Sequence, residues 1–304
     1  MDTNRYFSFT RLGYVMKRDW MENWKTNLYT FLGIFLAYLL VYLTQMNGLN
    51  SSHAGYYYSE DRLIGNYCSS FGAVFVFFMF VFATYIMNNM QTKEARFSYL
   101  MLPATSLEKF VSRALSVTVG VVIMTLLASL LAEAVHWAFM PFFDEIPDRL
   151  KISVWPEAWG KVLETINPFQ QETYQYCVDE TTREFVTRER SIFFQMIWAY
   201  WSVLWLHSLY ILGGSYYRKY AFFKTTGTLI LVGIVLGRIL FLVNPAEIVA
   251  WFGEFVRRNE DWLTEEFAAG VMAVITFCFT ALNWWLSYKL FTRQQVIKPK
   301  FRLL

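Results

Sequence analysis

The chain has 304 residues, of which 56% are hydrophobic, 20% aromatic and only 17% charged, with a formal net charge of +3. Soluble domains carry about 25% charged residues, so a water-soluble chain of this size would lack polar surface to cover its core, and a disordered one would be poorer in aromatics. Three cysteines are too few for a disulfide-built scaffold, and so small a net charge gives no argument for a nucleic acid partner.

What remains is an integral membrane protein. Crossing a bilayer core takes about 20 apolar residues of helix. The first 27 residues carry Arg5, Arg11, Lys17, Arg18 and Lys25 before any apolar run, with no small-residue cleavage site, so the first span reads as a retained signal anchor. Leu12, Met16, Trp20 and Trp24 recur every four residues among charges, the pattern of a helix lying in the membrane interface. Six spans follow: Leu28–Met46, Cys68–Met87, Ala114–Met140, Ile192–Leu212, Thr226–Val243 and Ala268–Phe291. The run Phe71–Val81 is apolar all round, which excludes the period-two pattern of a barrel strand. The expected fold is therefore all-α: one polytopic transmembrane domain over residues 1–304, with six membrane helices and an N-terminal interfacial helix.

Between the second and third spans lies a loop, residues 88–113. Pro103 breaks it, and Thr105 with Glu108 has capping-box spacing, which predicts a helix starting at Ser106. Running to Met140, that helix would be roughly 50 Å long. Before Pro103, Phe97, Tyr99, Leu100 and Leu102 form an apolar strip rimmed by Lys93, Glu94 and Arg96, the composition of a protein-docking surface. The loop at 141–190 contains Trp155, Trp159, Phe169, Tyr174 and Tyr176 and is expected to fold locally. A further short helix is expected at Ile248–Arg257.

Divided by alternate loops, the Lys and Arg residues number 17 on the side of the termini and nine on the other; with the acids included, the two sides carry about +12 and about −9. The Lys/Arg bias places both termini and the 88–113 loop in the cytoplasm and the 141–190 loop outside.

Nucleotide-binding and catalytic signatures are missing. There is no Walker loop, no H-E-x-x-H, no Cys/His cluster with metal spacing and no G-x-S-x-G. The adjacent Glu265 and Glu266 are followed by Gly270 where an intramembrane protease of the Glu-Glu-x-x-x-Arg type needs Arg. No enzymatic activity, cofactor or metal is expected of this chain. Polar residues within spans are the remaining candidates. Glu133 is expected near the outer interface with His136 and Trp137 a turn away, and Arg238 is expected either to snorkel outward or to pair with Glu133. His207 and Asn283 are expected to make helix–helix hydrogen bonds, and Gly233 with Gly237 forms a G-x-x-x-G helix-packing face. Trp284, Trp285 and Tyr288 suit an inner aromatic belt. An oxidising compartment would permit a disulfide between Cys68 and Cys177.

Leu102-Pro103-Ala104-Thr105, followed by Glu108 and Arg113, resembles the cytoplasmic motif between the second and third spans of ABC-2-type transporter permeases. The six-span plan, cytoplasmic termini and interfacial N-terminal helix are similar as well. The resemblance implies the membrane subunit of a transporter, an exporter by family analogy, in the bacterial cytoplasmic (inner) membrane. It would pair with a second permease copy and be driven by a separate ATP-binding subunit. That subunit would dock on a coupling loop comprising Glu94, Arg96, Phe97, Tyr99, Leu102, Pro103, Thr105, Glu108 and Arg113. The sequence departs from the family in its largest outer loop, which follows the third span rather than the fifth. The alternative is a non-transporting scaffold or sensor that binds a partner through the acidic 141–190 loop.

Overall fold

The computed structural model describes residues 7–49, 59–142, 153–169, 171–179, 184–217, 219–242, 250–251, 254–255, 258 and 265–293. Nine helices of eight residues or more run through these in the order α1 (Phe9–Glu22), α2 (Trp24–Leu49), α3 (Glu60–Ala83), α4 (Lys93–Leu100), α5 (Ser106–Phe139), α6 (Val154–Thr165), α7 (Phe193–Tyr216), α8 (Ala221–Leu242) and α9 (Glu265–Thr292). A 3-10 segment, Thr84–Met90, continues α3, and strands β1 (Gln171–Asp179) and β2 (Glu184–Ser191) separate α6 from α7.

Among the described residues six helices are long and apolar enough to cross a membrane: Trp24–Asn47, Glu60–Met90, Ser106–Phe142, Phe193–Tyr216, Ala221–Ile239 and Glu265–Thr292. All six expected spans are among them, most with added polar ends. The second starts eight residues early because Ser59 caps it, accepting from the Arg62 N–H at 3.3 Å, while Glu60 and Asp61 sit favourably on the positive helix end.

The all-α expectation needs one correction. β1 and β2 form an antiparallel hairpin from Gln171 opposite Ser191 to Asp179 opposite Glu184, within the loop expected to fold locally. The helix expected at Ile248–Arg257 lies largely outside the described residues, although Ala250, Trp251, Glu254 and Phe255 are helical. The chain beyond Arg293, with part of the basic tail, lies outside them too.

α5 is the axis of the fold. Helices α1, α2, α3, α6 and α9 all pack on it, and α7 and α9 pair along their lengths. Its 34 residues span about 51 Å. An aromatic cluster fills the space between α2 and α3: Tyr38, Tyr42, Tyr67 and Phe71 are fully buried. Tyr38 meets Phe71 edge-on at 4.9 Å and donates its hydroxyl to the Phe71 carbonyl at 3.2 Å. Trp159 of α6 joins this cluster, 6.0 Å from Phe71. Part of the aromatic richness of the sequence is thus used in interhelical packing.

Close backbone approach occurs at a pair of glycines that the sequence pattern does not single out. A Cβ on Gly214 of α7 would lie 2.5 Å from the Thr84 carbonyl oxygen, and one on Gly213 would run into the Thr225 side chain. These glycines let α7 press against the 3-10 segment and α8. Gly233 and Gly237, the expected packing pair, face open space on α8: a methyl group added at either would have nothing within 4 Å.

The contrast is testable by thermal unfolding in detergent. Gly214→Ala should destabilise by about 1–3 kcal/mol, the range for overpacking a closed contact. Gly233→Ala should leave the unfolding temperature of the isolated chain unchanged or slightly higher.

Candidate functional site

The site expected at 88–113 is built by two helix starts. Thr92 accepts from the Ala95 N–H at 3.2 Å and begins α4. After the break at Pro103, Thr105 accepts from the Glu108 N–H at 3.2 Å while Glu108 Oε2 accepts from the Thr105 N–H at 2.8 Å. This is the predicted capping box.

Glu108 does more than cap. Its Oε1 accepts from the Ser8 backbone N–H at 2.6 Å and from Arg11 Nη2 at 2.8 Å. The carboxylate is fully buried and thereby fastens the start of α1 to the start of α5. Charge-assisted pairs of this kind are the stronger class of hydrogen bond, and stranding one partner in a buried site costs about 3–5 kcal/mol.

Two turns along α1, Asp19 forms a second joint. Its Oδ1 accepts from Asn89 Nδ2 at 2.9 Å, and its Oδ2 accepts from Ser112 Oγ at 2.8 Å. The Tyr99 hydroxyl lies 3.3 Å from Oδ2 and 3.0 Å from the Lys109 carbonyl. One carboxylate thus joins α1, the 3-10 segment, α4 and α5. Asn23 closes the corner between α1 and α2, donating its side-chain amide to the Asp19 carbonyl at 2.8 Å and accepting from Asn88 at 2.9 Å. Burial raises the Asp19 carboxyl above its ordinary value of 3.8, outweighing the nearby Arg113 and the hydrogen bonds from Ser112 and Tyr99. Burial, and then Asp19 beside it, pushes the Tyr99 phenol well above its ordinary value.

The cations of this region satisfy carbonyls where the helices end. Arg113 donates to the Ile86 and Tyr85 carbonyls at 3.1 and 2.5 Å, Arg96 to the Met90 carbonyl at 3.3 Å, and Lys109 to the Leu100 carbonyl at 2.8 Å. Backbone oxygens left over by the 3-10 segment and by the end of α4 take up these donors.

The apolar strip is therefore split between two faces. Because the stretch is helical, Arg96 and Tyr99 point inward and are buried, while Glu94, Phe97 and Met101 point outward. Arg96 and Tyr99 are corrected from surface residues to internal supports. Leu102, Pro103 and Ala104 join Arg11, Tyr14, Val15 and Arg18 around a groove of about 310 Å³ beside this outward face. On α1, Leu12, Val15 and Asp19 are buried against the bundle, whereas Trp20 and Trp24 are exposed.

At the other end of α5, Glu133 is buried. Its Oε1 accepts from Trp137 Nε1, Ser153 Oγ and the Val154 N–H, each at 3.1 Å. It caps the start of α6 from a neighbouring helix. One turn earlier, Ser129 Oγ accepts from the indoles of Trp155 and Trp159 at 2.9 and 3.2 Å. Glu133 is not paired with Arg238, which is exposed on α8. His136 stacks on Tyr42 at 4.7 Å, with its Nδ1 3.1 Å from Met46 Sδ.

Asn283 makes the expected helix–helix bond, donating to Ser208 Oγ at 2.8 Å. His207 is buried, with the backbone of Val117 on α5 as its polar neighbour. Cys68 is a free thiol, so the disulfide with Cys177 is not made; Cys177 lies on β1 opposite Phe185. Among the described residues no group of three or more His, Cys, Asp or Glu side chains comes together to hold a metal. In comparison with known proteins, no family, curated protein or solved structure matches the chain.

Both joints can be probed in solution. A carboxyl raised in the folded state binds its proton more readily there than when unfolded, so its contribution to stability falls as pH rises above 3.8. Relative to Asp19→Asn, the wild type should lose stability as pH climbs from that value, in denaturant titrations at several pH values. At the far end, Glu133→Ala should weaken the docking of α6 by about 1–3 kcal/mol and speed proteolysis within residues 153–169, with the α1–α4 end unaffected.

Proposed function

We propose that the chain is the membrane-spanning permease subunit of an ABC-type transporter, an exporter driven by a separate ATP-binding subunit. The observation that carries this reading is the double anchorage of α5. One end is fastened to α1 and α4 through Asp19 and Glu108, and the other to α6 through Ser129 and Glu133. A displacement of α4 is delivered along one 34-residue helix to the opposite side of the bundle. Transport coupled to a separate motor needs such a continuous path, because packed elements transmit displacement rather than absorb it.

In this reading the ATP-binding subunit seats on the outward face of α4, with Glu94, Phe97 and Met101 as contacts and the adjoining groove receiving an element of the partner. Arg96, Tyr99, Thr105, Glu108 and Arg113 hold the face in place from behind. The excess of Lys and Arg on the side of α1, α4 and both termini supports a cytoplasmic position for that face in a bacterial cytoplasmic membrane. The motif from Leu102 to Arg113 supports the same assignment, and a second permease copy would complete the translocation path.

The test is co-purification of the full-length chain with a Walker-motif ATPase, followed by ATP hydrolysis and transport in vesicles. Glu94→Lys with Phe97→Asp, both exposed, should leave unfolding temperature unchanged. The double substitution should weaken association about tenfold or more, since truncating a central contact typically costs about 2 kcal/mol. If the wild type brings down no ATPase, or the double variant hydrolyses and transports at wild-type rates, the assignment fails.

A further inference from the structure

Away from these joints, a cleft of about 240 Å³ opens between the 3-10 segment and the turn from α7 to α8. Aromatic side chains form its walls: Tyr85, Tyr217, Tyr220, Phe222 and Phe223. Its floor is polar, with Asn88 and Gln91 joined by a 2.9 Å hydrogen bond from Gln91 Nε2 to Asn88 Oδ1. No carboxylate lines it among the described residues.

Three features mark this cleft as built. Gly214, which lines it, is the position where α7 meets the backbone of Thr84 and no side chain fits. Tyr220, also lining, is the one non-glycine residue with positive φ among the described residues, at 53°. A bulky residue occupies that conformation only where the surroundings impose it, and such positions concentrate at ligand clamps. Finally, Lys224 Nζ sits 5.8 Å from the centre of the Tyr217 ring on the cleft wall, and Lys219, next to the lining residue Tyr220 in the chain, is exposed. Neither lysine forms an ion pair with an acid among the described residues.

The surroundings select the ligand. The cleft lies where two apolar spans, α7 and α8, meet at a short turn, the level at which membrane helices leave the hydrocarbon. Basic pockets between membrane helices at that level take phosphate-bearing headgroups. Beside the cleft, Phe222 is 5.8 Å from Phe77 of α3, which is exposed. Phe223 continues into the exposed apolar face of α8 at Ile230 and Leu231. An acyl chain attached to a bound headgroup has an apolar track to follow, which free phosphate would not use.

We propose that this cleft is a binding site for the phosphate headgroup of an anionic glycerophospholipid. Lys219 and Lys224 neutralise the phosphate, the Gln91 and Asn88 amides hydrogen-bond the headgroup, and the tyrosines and phenylalanines enclose the glycerol and the first methylenes. The site rests on the membrane architecture and does not depend on the transport reading.

Native mass spectrometry of the full-length chain in detergent, with added phosphatidylglycerol or phosphatidylcholine, tests it. The wild type should retain one phosphatidylglycerol in preference to phosphatidylcholine by about thirtyfold, the factor two lysines supply near an anionic headgroup. Lys219→Glu with Lys224→Glu should abolish the preference. Ala221→Trp, which fills the cleft without touching charge, should abolish retention of both lipids, and unfolding temperatures should show that all variants are folded. Equal retention of the two lipids by wild type, or an undiminished preference in the charge variant, overturns the proposal. Displacement of the bound lipid by millimolar inorganic phosphate would identify free phosphate as the ligand and overturn the lipid assignment.

Discussion

The carboxylate of Asp19 fixes how the first helix meets the rest of the molecule. It takes donors from the 3-10 segment and α5, with the Tyr99 hydroxyl of α4 at its edge, and all of these groups are buried. Removing it would strand several polar groups away from water, each at a cost of about 1–3 kcal/mol. A buried carboxylate is a poor source of net stability, since its desolvation offsets much of what its partners return. What it supplies is register: α1 can slide neither along α5 nor about its own axis without breaking bonds to several elements. Glu108 makes the same demand two turns earlier, so α1 is held at two points rather than about one pivot.

The two halves of the bundle are held differently. Around α5 the ties are ionic and amide groups at the helix ends, with tyrosines and phenylalanines between. Between α7 and α9 they are small hydroxyls and one amide: Ser215 with Ser287 at 2.8 Å, and Asn283 with Ser208 at 2.8 Å. Small residues allow close helix contact, and hydroxyl bonds in a lipid-facing pair are each worth only about 0.6 kcal/mol. α8 is attached mainly to α7, by the contact of Thr225 with Gly213 and a 3.1 Å bond between Tyr210 and Thr226, and the rest of its surface is open. The described part of the molecule is thus a stiff core on α5 with a more simply bound flank.

What is legible in the sequence is local. Span positions follow from apolar length, and the start of α5 follows from Pro103, Thr105 and Glu108 within six residues. The residues that turn these pieces into a junction are not legible, because their roles are decided across long separations. Asp19 meets Asn89 and Ser112, 70 and 93 positions away. Arg96 and Tyr99 read as surface residues as long as the stretch is treated as a loop; helical spacing puts them together, and only the position of α5 tells which face is inside. The place of Glu133 along its helix can be read from residue spacing, yet its capping role requires knowing that α6 folds back. The glycine motif misleads for a related reason: Gly233 and Gly237 satisfy a pattern, whereas Gly213 and Gly214 satisfy a contact. The hairpin does leave a trace, since Thr173, Tyr174, Tyr176, Cys177 and Val178 are rich in strand formers.

The 3-10 segment has a geometric consequence for everything hung on it. Its seven residues are interrupted by a kink with non-helical backbone at Met87 (φ −102°, ψ 17°), so the second span does not continue there as one regular helix. The kink, with the tighter 3-10 turns on either side of it, rotates the side chains that follow relative to a continuous α-helix. The segment therefore acts as a phase shifter, and Asn88 and Asn89 point at Asn23 and Asp19 because of it. A change that restored regular α-helix there would repair the backbone at Met87 and still dismantle the junction, by dialling the wrong side chains toward α1.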